Sequence, residues 1–167
     1  MRPFRTTLPA LLAAFALVGC DPGCDAADDL APDTLTMELN DAPWTAANPT
    51  WQVSATGVQI NTSPVAGWRL SMVGQETPNG TDVPTLVEDG DLPIYVKLGS
   101  SQDGGWGLLY PEEGDTFSTE YGHGGFLKFS RLRGRELYGC FAFDANDQRD
   151  EADTRKGLFR LSEVGLE

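Results

Sequence analysis

The chain has 167 residues, with 25 Asp and Glu against 12 Lys and Arg, so its formal net charge is −13. This length leaves room for one domain. The charge excludes a large nucleic-acid-binding surface, because such surfaces need Lys and Arg to displace counterions from the phosphates. A hydrophobic content of 40% with 10% aromatic residues also excludes a disordered chain.

The N-terminus has the layout of a bacterial export signal. Met1, Arg2 and Arg5 form a basic start, and an apolar run of 11 residues follows from Leu8 to Val18. A helix needs about 20 apolar residues to cross a bilayer, so this run is too short to remain as a membrane span. We therefore expect the segment to be removed after export.

The end of this run is more specific. The sequence Leu17-Val18-Gly19-Cys20 resembles the lipobox of bacterial lipoproteins, in which the chain is cut before the cysteine and the thiol carries diacylglycerol. This resemblance implies a signal peptide at 1–19 and a lipid on Cys20. It also implies a place in the cell envelope, anchored to a membrane and facing the periplasm or the exterior, with the inner or outer membrane left open.

The segment after Cys20 is acidic. Residues 21–33 hold five acids, no bases and two prolines, without apolar periodicity. This composition is typical of a solvated segment, and thirteen extended residues reach about 45 Å. We predict a flexible, lipidated tether at 20–34 that holds a single β domain, 35–167, near the membrane.

Two further cysteines, Cys24 and Cys140, would lie in an oxidising compartment where disulfides persist. Their pairing is one prediction of the sequence, and two free thiols are the alternative. Two thiols and one histidine do not complete a four-ligand zinc site without carboxylates from elsewhere. The sequence therefore predicts neither a metal site nor a cofactor.

From Leu35 onward, apolar residues alternate with period two, which is the pattern of half-buried strands. Turn sequences rich in Gly, Asn and Asp separate these strands. We predict an all-β antiparallel sandwich or flattened barrel of about eight to ten short strands, with no helix of three turns. The predicted core faces include Leu35/Met37/Leu39, Val58/Ile60/Thr62, Trp68/Leu70/Met72, Leu92/Ile94/Val96/Leu98, Trp106/Leu108/Tyr110, Leu127/Phe129, Phe141/Phe143 and Phe159/Leu161.

Both ends of this region resemble a family of uncharacterised bacterial lipoproteins. Residues 39–46, LNDAPWTA, resemble its N-G-x-x-W-x-A opening, and 138–143 and 156–161, YGCFAF and KGLFRL, resemble its closing G-x-F-x-F and G-x-F-x-L strands. The resemblance implies a β domain and leaves function unspecified. The shared faces of Phe141/Phe143 and Phe159/Leu161 predict separately that these two strands are adjacent and antiparallel. Cys140 stands where the family usually has a small hydroxyl residue, which favours the disulfide.

Two candidate chemical sites have simpler structural explanations. His123 lies among glycines, but no nucleophile elbow accompanies it, so a polar turn is the favoured interpretation. The acidic loop at 144–153 fails the helix-loop-helix calcium motif, because Arg149 and Arg155 occupy the required Gly and Glu positions. We interpret the loop as a solvated connection and leave weak cation binding open.

The aromatic residues at strand spacing are expected mainly in the core, and Tyr95 is the expected exception because it alternates against Ile94 and Val96. The favoured function is a non-enzymatic binding or structural domain, held to a membrane by its N-terminal lipid, whose partner is an envelope protein or a glycan. The alternative is a small envelope hydrolase that acts on glycans through two carboxylates.

Overall fold

The computed structural model describes residues 23–100 and 102–164, and antiparallel strands dominate it. The strands are β1 (Thr34–Leu39), β2 (Ala42–Thr45), β3 (Ala47–Ser54), β4 (Gly57–Ser63), β5 (Trp68–Gly74), β6 (Ile94–Leu98), β7 (Gly105–Pro111), β8 (Phe117–Ser118), β9 (Gly124–Arg133), β10 (Glu136–Asn146) and β11 (Glu151–Ser162). A 3-10 helix, Cys24–Asp29, precedes β1, and an α-helix, α1 (Val83–Asp89), lies between β5 and β6.

The strands form one nearly closed, barrel-like sheet, which confirms the prediction of an all-β sandwich or flattened barrel. The first wall has the order β6-β9-β10-β11-β1-β2, and the second wall has the order β7-β5-β4-β3. The short strand β8 joins the walls by pairing with β7 and with the end of β10. At the other seam, Trp51 of β3 bridges to Glu163, just after β11.

The predicted alternation places most core side chains correctly. Leu35, Met37 and Leu39 of β1 are all buried, and the intervening residues face partly outward. The same holds for β6, where Ile94 and Val96 are buried and Tyr95 is 47% exposed. A period of two thus identifies both the strand and its inner face wherever one side of the strand meets solvent.

The strands β10 and β11 are adjacent and antiparallel, as the sequence predicts. Phe141 lies opposite Gly157, and Phe159 lies opposite Gly139. A Cβ on Gly157 would lie 2.6 Å from the Phe141 ring, and one on Gly139 would lie 2.4 Å from the Phe159 ring. Each ring therefore occupies the space that a side chain on the facing strand would fill.

The predicted inner face of β7 is wrong. Trp106, Leu108 and Tyr110 are only half-buried, whereas Leu109 is fully buried on the opposite face. The core side of β7 also carries Gly107, whose absent Cβ leaves room for the Phe143 ring at 2.9 Å. The Phe143 ring fills the inner side of β7 at Gly107, so the larger side chains at positions 106, 108 and 110 lie on the outer face.

The prediction of a flexible tether at 20–34 is also wrong for the residues that the structure describes. The 3-10 helix packs on β10 and β11, with Cys24 and Ala27 buried. The folded unit therefore starts at Cys24, about ten residues before the predicted boundary at 35. The first strand follows at Thr34. Acidic composition misleads here, because Asp25, Asp28 and Asp29 face outward while the small Ala27 is buried.

The helix α1 was absent from the sequence prediction. The carboxylate of Asp82 accepts a hydrogen bond from the Thr85 backbone N–H at 2.9 Å and caps its N-terminus. Gly90, at φ +75°, ends it. Seven residues are too few to show helical periodicity, although Val83 and Val87 bury one face. Among the described residues, no helix has the length and apolar character needed to cross a membrane.

Candidate functional site

The N-terminal 3-10 helix is bonded to the middle of the first wall. Cys24 and Cys140 form a disulfide with their Cα atoms 5.2 Å apart, and this is the pair that the sequence analysis named. Cys140 lies on the outer side of β10, opposite the buried Phe141 and Phe143. The disulfide therefore fixes the start of the described chain on the outer surface of the sheet.

Beside the disulfide, Tyr138 is covered by charged groups. Its hydroxyl donates a hydrogen bond to Glu136 at 2.8 Å, and Arg160 donates to both oxygens of the same carboxylate at 3.0 and 3.1 Å. Arg160 also donates to the Leu30 carbonyl, and Arg131 forms an ion pair with Asp28. These contacts secure the C-terminal end of the 3-10 helix to the sheet, and the disulfide holds its N-terminal end.

The same contacts shift two pKa values. Hydrogen bonds from Arg160 and then from Tyr138 stabilise the Glu136 carboxylate and hold its pKa below the usual range. Burial, reinforced by the hydrogen bond to Glu136, raises the pKa of Tyr138. Both shifts favour the protonation states found near neutral pH, in which Glu136 can hold Arg160 against the Leu30 carbonyl.

An apolar groove of about 350 Å³ lies next to the disulfide on the outer side of the first wall. Phe126, Ala142 and Leu158 come from three neighbouring strands and line it, and Gly23 forms one end. The residue before Cys24 is therefore itself part of the groove wall.

Next to this groove, the exposed Tyr95 stacks on Phe126 with ring centroids 6.0 Å apart. The exposure expected for Tyr95 is confirmed. Of the other aromatic residues considered from sequence, Trp44 and Trp51 are buried, Trp68 and Trp106 are half-buried, and Tyr121 is exposed. We call the outer side of the first wall around the groove the groove face; it comprises Tyr95, Lys97, Phe126, Lys128, Ala142, Lys156 and Leu158.

A second cluster lies at the end of the first wall. His123, Asp144 and Glu151 place one donor atom each within 4.8 Å of one another, and His123 Nδ1 lies 3.5 Å from Glu151 Oε1. His123 precedes β9, Asp144 lies in β10 and Glu151 begins β11, so sheet register brings three separate elements together. One imidazole and two carboxylates could supply three ligands to a divalent cation.

From sequence, His123 and the loop at 144–153 are separate candidates, and their convergence is not predicted. The only available signal was the β9 to β10 pairing, which puts Gly124 opposite Asp144. That register depends on the folded sheet. The Asp147 carboxylate is hydrogen-bonded within the loop itself. It accepts hydrogen bonds from the backbone N–H groups of Asp150 and Arg149, which lower its pKa.

The acids near this end line a shallow surface depression of about 440 Å³. Its walls include Asp144, Glu151 and the ion-paired Asp153 and Arg155. A glycosidase needs one carboxyl with a raised pKa to act as the general acid. Hydrogen bonds lower the pKa values of Asp82, Asp103, Glu136 and Asp147, which stabilises these four carboxylates as anions.

The predictions of a signal peptide at 1–19 and of lipid attachment at Cys20 fall outside the described residues. Comparison with known proteins adds no relative: no family model matches the chain, and neither a curated protein nor a solved structure is similar to it.

Proposed function

We propose that the mature chain begins at Cys20, carries lipid there and is held at an envelope membrane, where its β domain acts by binding or by structural association. The Cys24–Cys140 disulfide carries this proposal. Such bonds persist in oxidising, exported compartments, in agreement with an export signal at 1–19. The bond also uses two of the three cysteines of the chain, which leaves the Cys20 thiol for the lipid.

The proposal that the domain is not an enzyme rests on the character of its polar clusters. The Glu136, Tyr138 and Arg160 cluster is occupied in holding the N-terminal 3-10 helix. The Asp147 carboxylate of the acidic loop is occupied in accepting backbone hydrogen bonds within that loop. An envelope protein or a glycan is the partner class that we propose.

Lipid attachment can be tested by growing a bacterial host that expresses the full chain with an alkyne-labelled fatty acid. We expect label and membrane association for the wild type, and loss of both for Cys20→Ser. The paired variant Cys24→Ser/Cys140→Ser is the matched control, because it removes cysteines without touching Cys20 and should keep the label. An unlabelled, soluble wild type contradicts the proposal, as does label that survives in Cys20→Ser.

The alternative, a carboxylate-dependent glycan hydrolase, is favoured by one observation: Asp144 and Glu151, from different strands, approach each other beside His123. Asp144→Asn and Glu151→Gln would each abolish such an activity, whereas Asp147→Asn in the same loop would leave it unchanged. A panel of peptidoglycan fragments and polysaccharides provides the assay. Cleavage by the wild type that is lost in the first two variants would make the hydrolase the better account.

A further inference from the structure

The disulfide limits how far the domain can lie from a lipid on Cys20. Only three residues separate Cys20 from Cys24, and Cys24 is bonded to Cys140 on the outer side of the first wall. Four extended residue steps span at most about 14 Å, against about 45 Å for the thirteen-residue tether predicted from sequence. The Cα atom of Cys20 must therefore lie within about 14 Å of that of Cys24.

The size of the domain makes this limit decisive. A folded domain of this length has a radius of gyration near 15 Å and is roughly 35 to 40 Å across. A 14 Å link that starts beside Cys140 is too short to pass around the sheet to the outer side of the second wall. Of the two walls, the first is therefore the one that a bilayer-bound lipid can bring to the membrane.

The groove face has the chemistry of a surface that meets lipid. Phe126, Ala142 and Leu158 present an open apolar groove, with Gly23 at its edge. Tyr95 is 47% exposed and stacks on Phe126. A tyrosine with an apolar body and a polar hydroxyl is suited to the membrane interface.

Charge distribution points the same way. All three lysines of the chain, Lys97, Lys128 and Lys156, lie on the groove face. Lys97 pairs with Asp103, and Lys156 pairs with Glu38 at 2.7 Å. In a chain of net charge −13, these lysines offset part of the negative charge that Asp25, Asp28 and Asp29 of the 3-10 helix place on the same side of the sheet.

We infer that the groove face lies against the bilayer that holds the Cys20 lipid, and that the short link set by the Cys24–Cys140 disulfide keeps it there. This inference rests on the proposed lipid anchor. It assigns an orientation, with the second wall turned away from the membrane and toward other envelope components.

Photo-crosslinking to lipid tests the orientation. The full lipidated chain, with p-benzoylphenylalanine in place of Tyr95, is reconstituted into vesicles of phosphatidylethanolamine and phosphatidylglycerol. A matched protein carries the same group in place of Gln52, an exposed residue of β3 in the second wall. We expect crosslinked lipid at position 95 to exceed that at position 52 several-fold; equal yields overturn the inference.

A longer link between Cys20 and Cys24 tests whether the short link sets the orientation, without disturbing the fold. Inserting about twelve Gly and Ser residues after Pro22 adds roughly 20 Å of average reach and leaves the disulfide intact. The same insertion between Glu113 and Gly114, in the exposed turn after β7, is the control. We expect the first insertion to lower lipid crosslinking at position 95 toward the level at position 52, and the control insertion to leave it unchanged.

An unchanged yield after the insertion at Pro22 contradicts the role of the short link. Intact mass of every sample separates the two proposals. A chain without lipid on Cys20 overturns the anchor and the orientation together, whereas a lipidated chain that crosslinks equally from both walls overturns the orientation alone.

Discussion

Cys24 is bonded to Cys140 on the outer side of the sheet, which closes a loop across 116 residues of sequence. The bond converts the segment after Cys20 from a predicted long tether into a short link. It also holds the 3-10 helix over β10 and β11, where Ala27 is fully buried. The N-terminal segment is therefore part of the folded domain.

Loss of this disulfide should destabilise the domain substantially. On chain-entropy grounds, closing a loop of this length stabilises the folded state by up to about 4 to 5 kcal/mol. Urea unfolding of the wild type with and without reductant, and of Cys24→Ser/Cys140→Ser, measures the effect. Cys20→Ser keeps the bond and should unfold like the wild type, while an unchanged midpoint in the paired variant would contradict the prediction.

Phe141 should be among the most sensitive core positions, because its ring is fully buried over Gly157. Phe141→Ala should lower the free energy of unfolding by about 3 to 5 kcal/mol through lost burial and the resulting cavity. Equilibrium urea unfolding provides the measurement. A loss below 1 kcal/mol would show that the ring does not fill the core as described.

Gly157→Ala should be destabilising for the complementary reason. The new methyl group would lie 2.6 Å from the Phe141 ring, and such overpacking costs about 1 to 3 kcal/mol. A smaller side chain in Phe141→Leu should reduce that penalty, so the double variant should lose less than the sum of the single losses. Gly23→Ala, which meets nothing within 4 Å, is the control; strict additivity in the cycle would contradict the proposed contact.

The Glu136 and Arg160 pair should make stability depend on pH in the acid range. The pKa of Glu136 is lowered in the folded state, so the unfolded chain binds more protons between the two pKa values. The contribution is complete above the ordinary value of 4.5 and is lost as the pH falls through the folded pKa. Thermal unfolding followed across this range should show a shallower acid decline for Glu136→Gln than for the wild type.

Glu113→Gln, which changes an exposed acid in a turn, is the matched control and should retain the wild-type pH profile. Identical acid profiles for Glu136→Gln and the wild type would refute a contribution from this pair.

The sequence predicts the β architecture because most strands have one face toward solvent. Apolar and polar residues therefore alternate along them, as at Leu35, Met37 and Leu39. The prediction fails at β7, because the core-facing Gly107 has no side chain and so adds nothing to the apolar pattern. It fails again at Asp25, Asp28 and Asp29, because acidic composition conceals the buried Ala27 between them. The convergence of His123, Asp144 and Glu151 depends on strand register, which local pattern does not encode.

The central claim is that one cysteine anchors the chain while the other two fasten its N-terminal segment to the domain. Intact mass of the protein extracted from membranes, before and after reduction, tests both parts at once. The account predicts residues 20–167 with a lipid on Cys20, lighter by the two hydrogens of one disulfide until reductant is added. A mature chain that lacks the lipid, or that has the same mass before and after reduction, would contradict it.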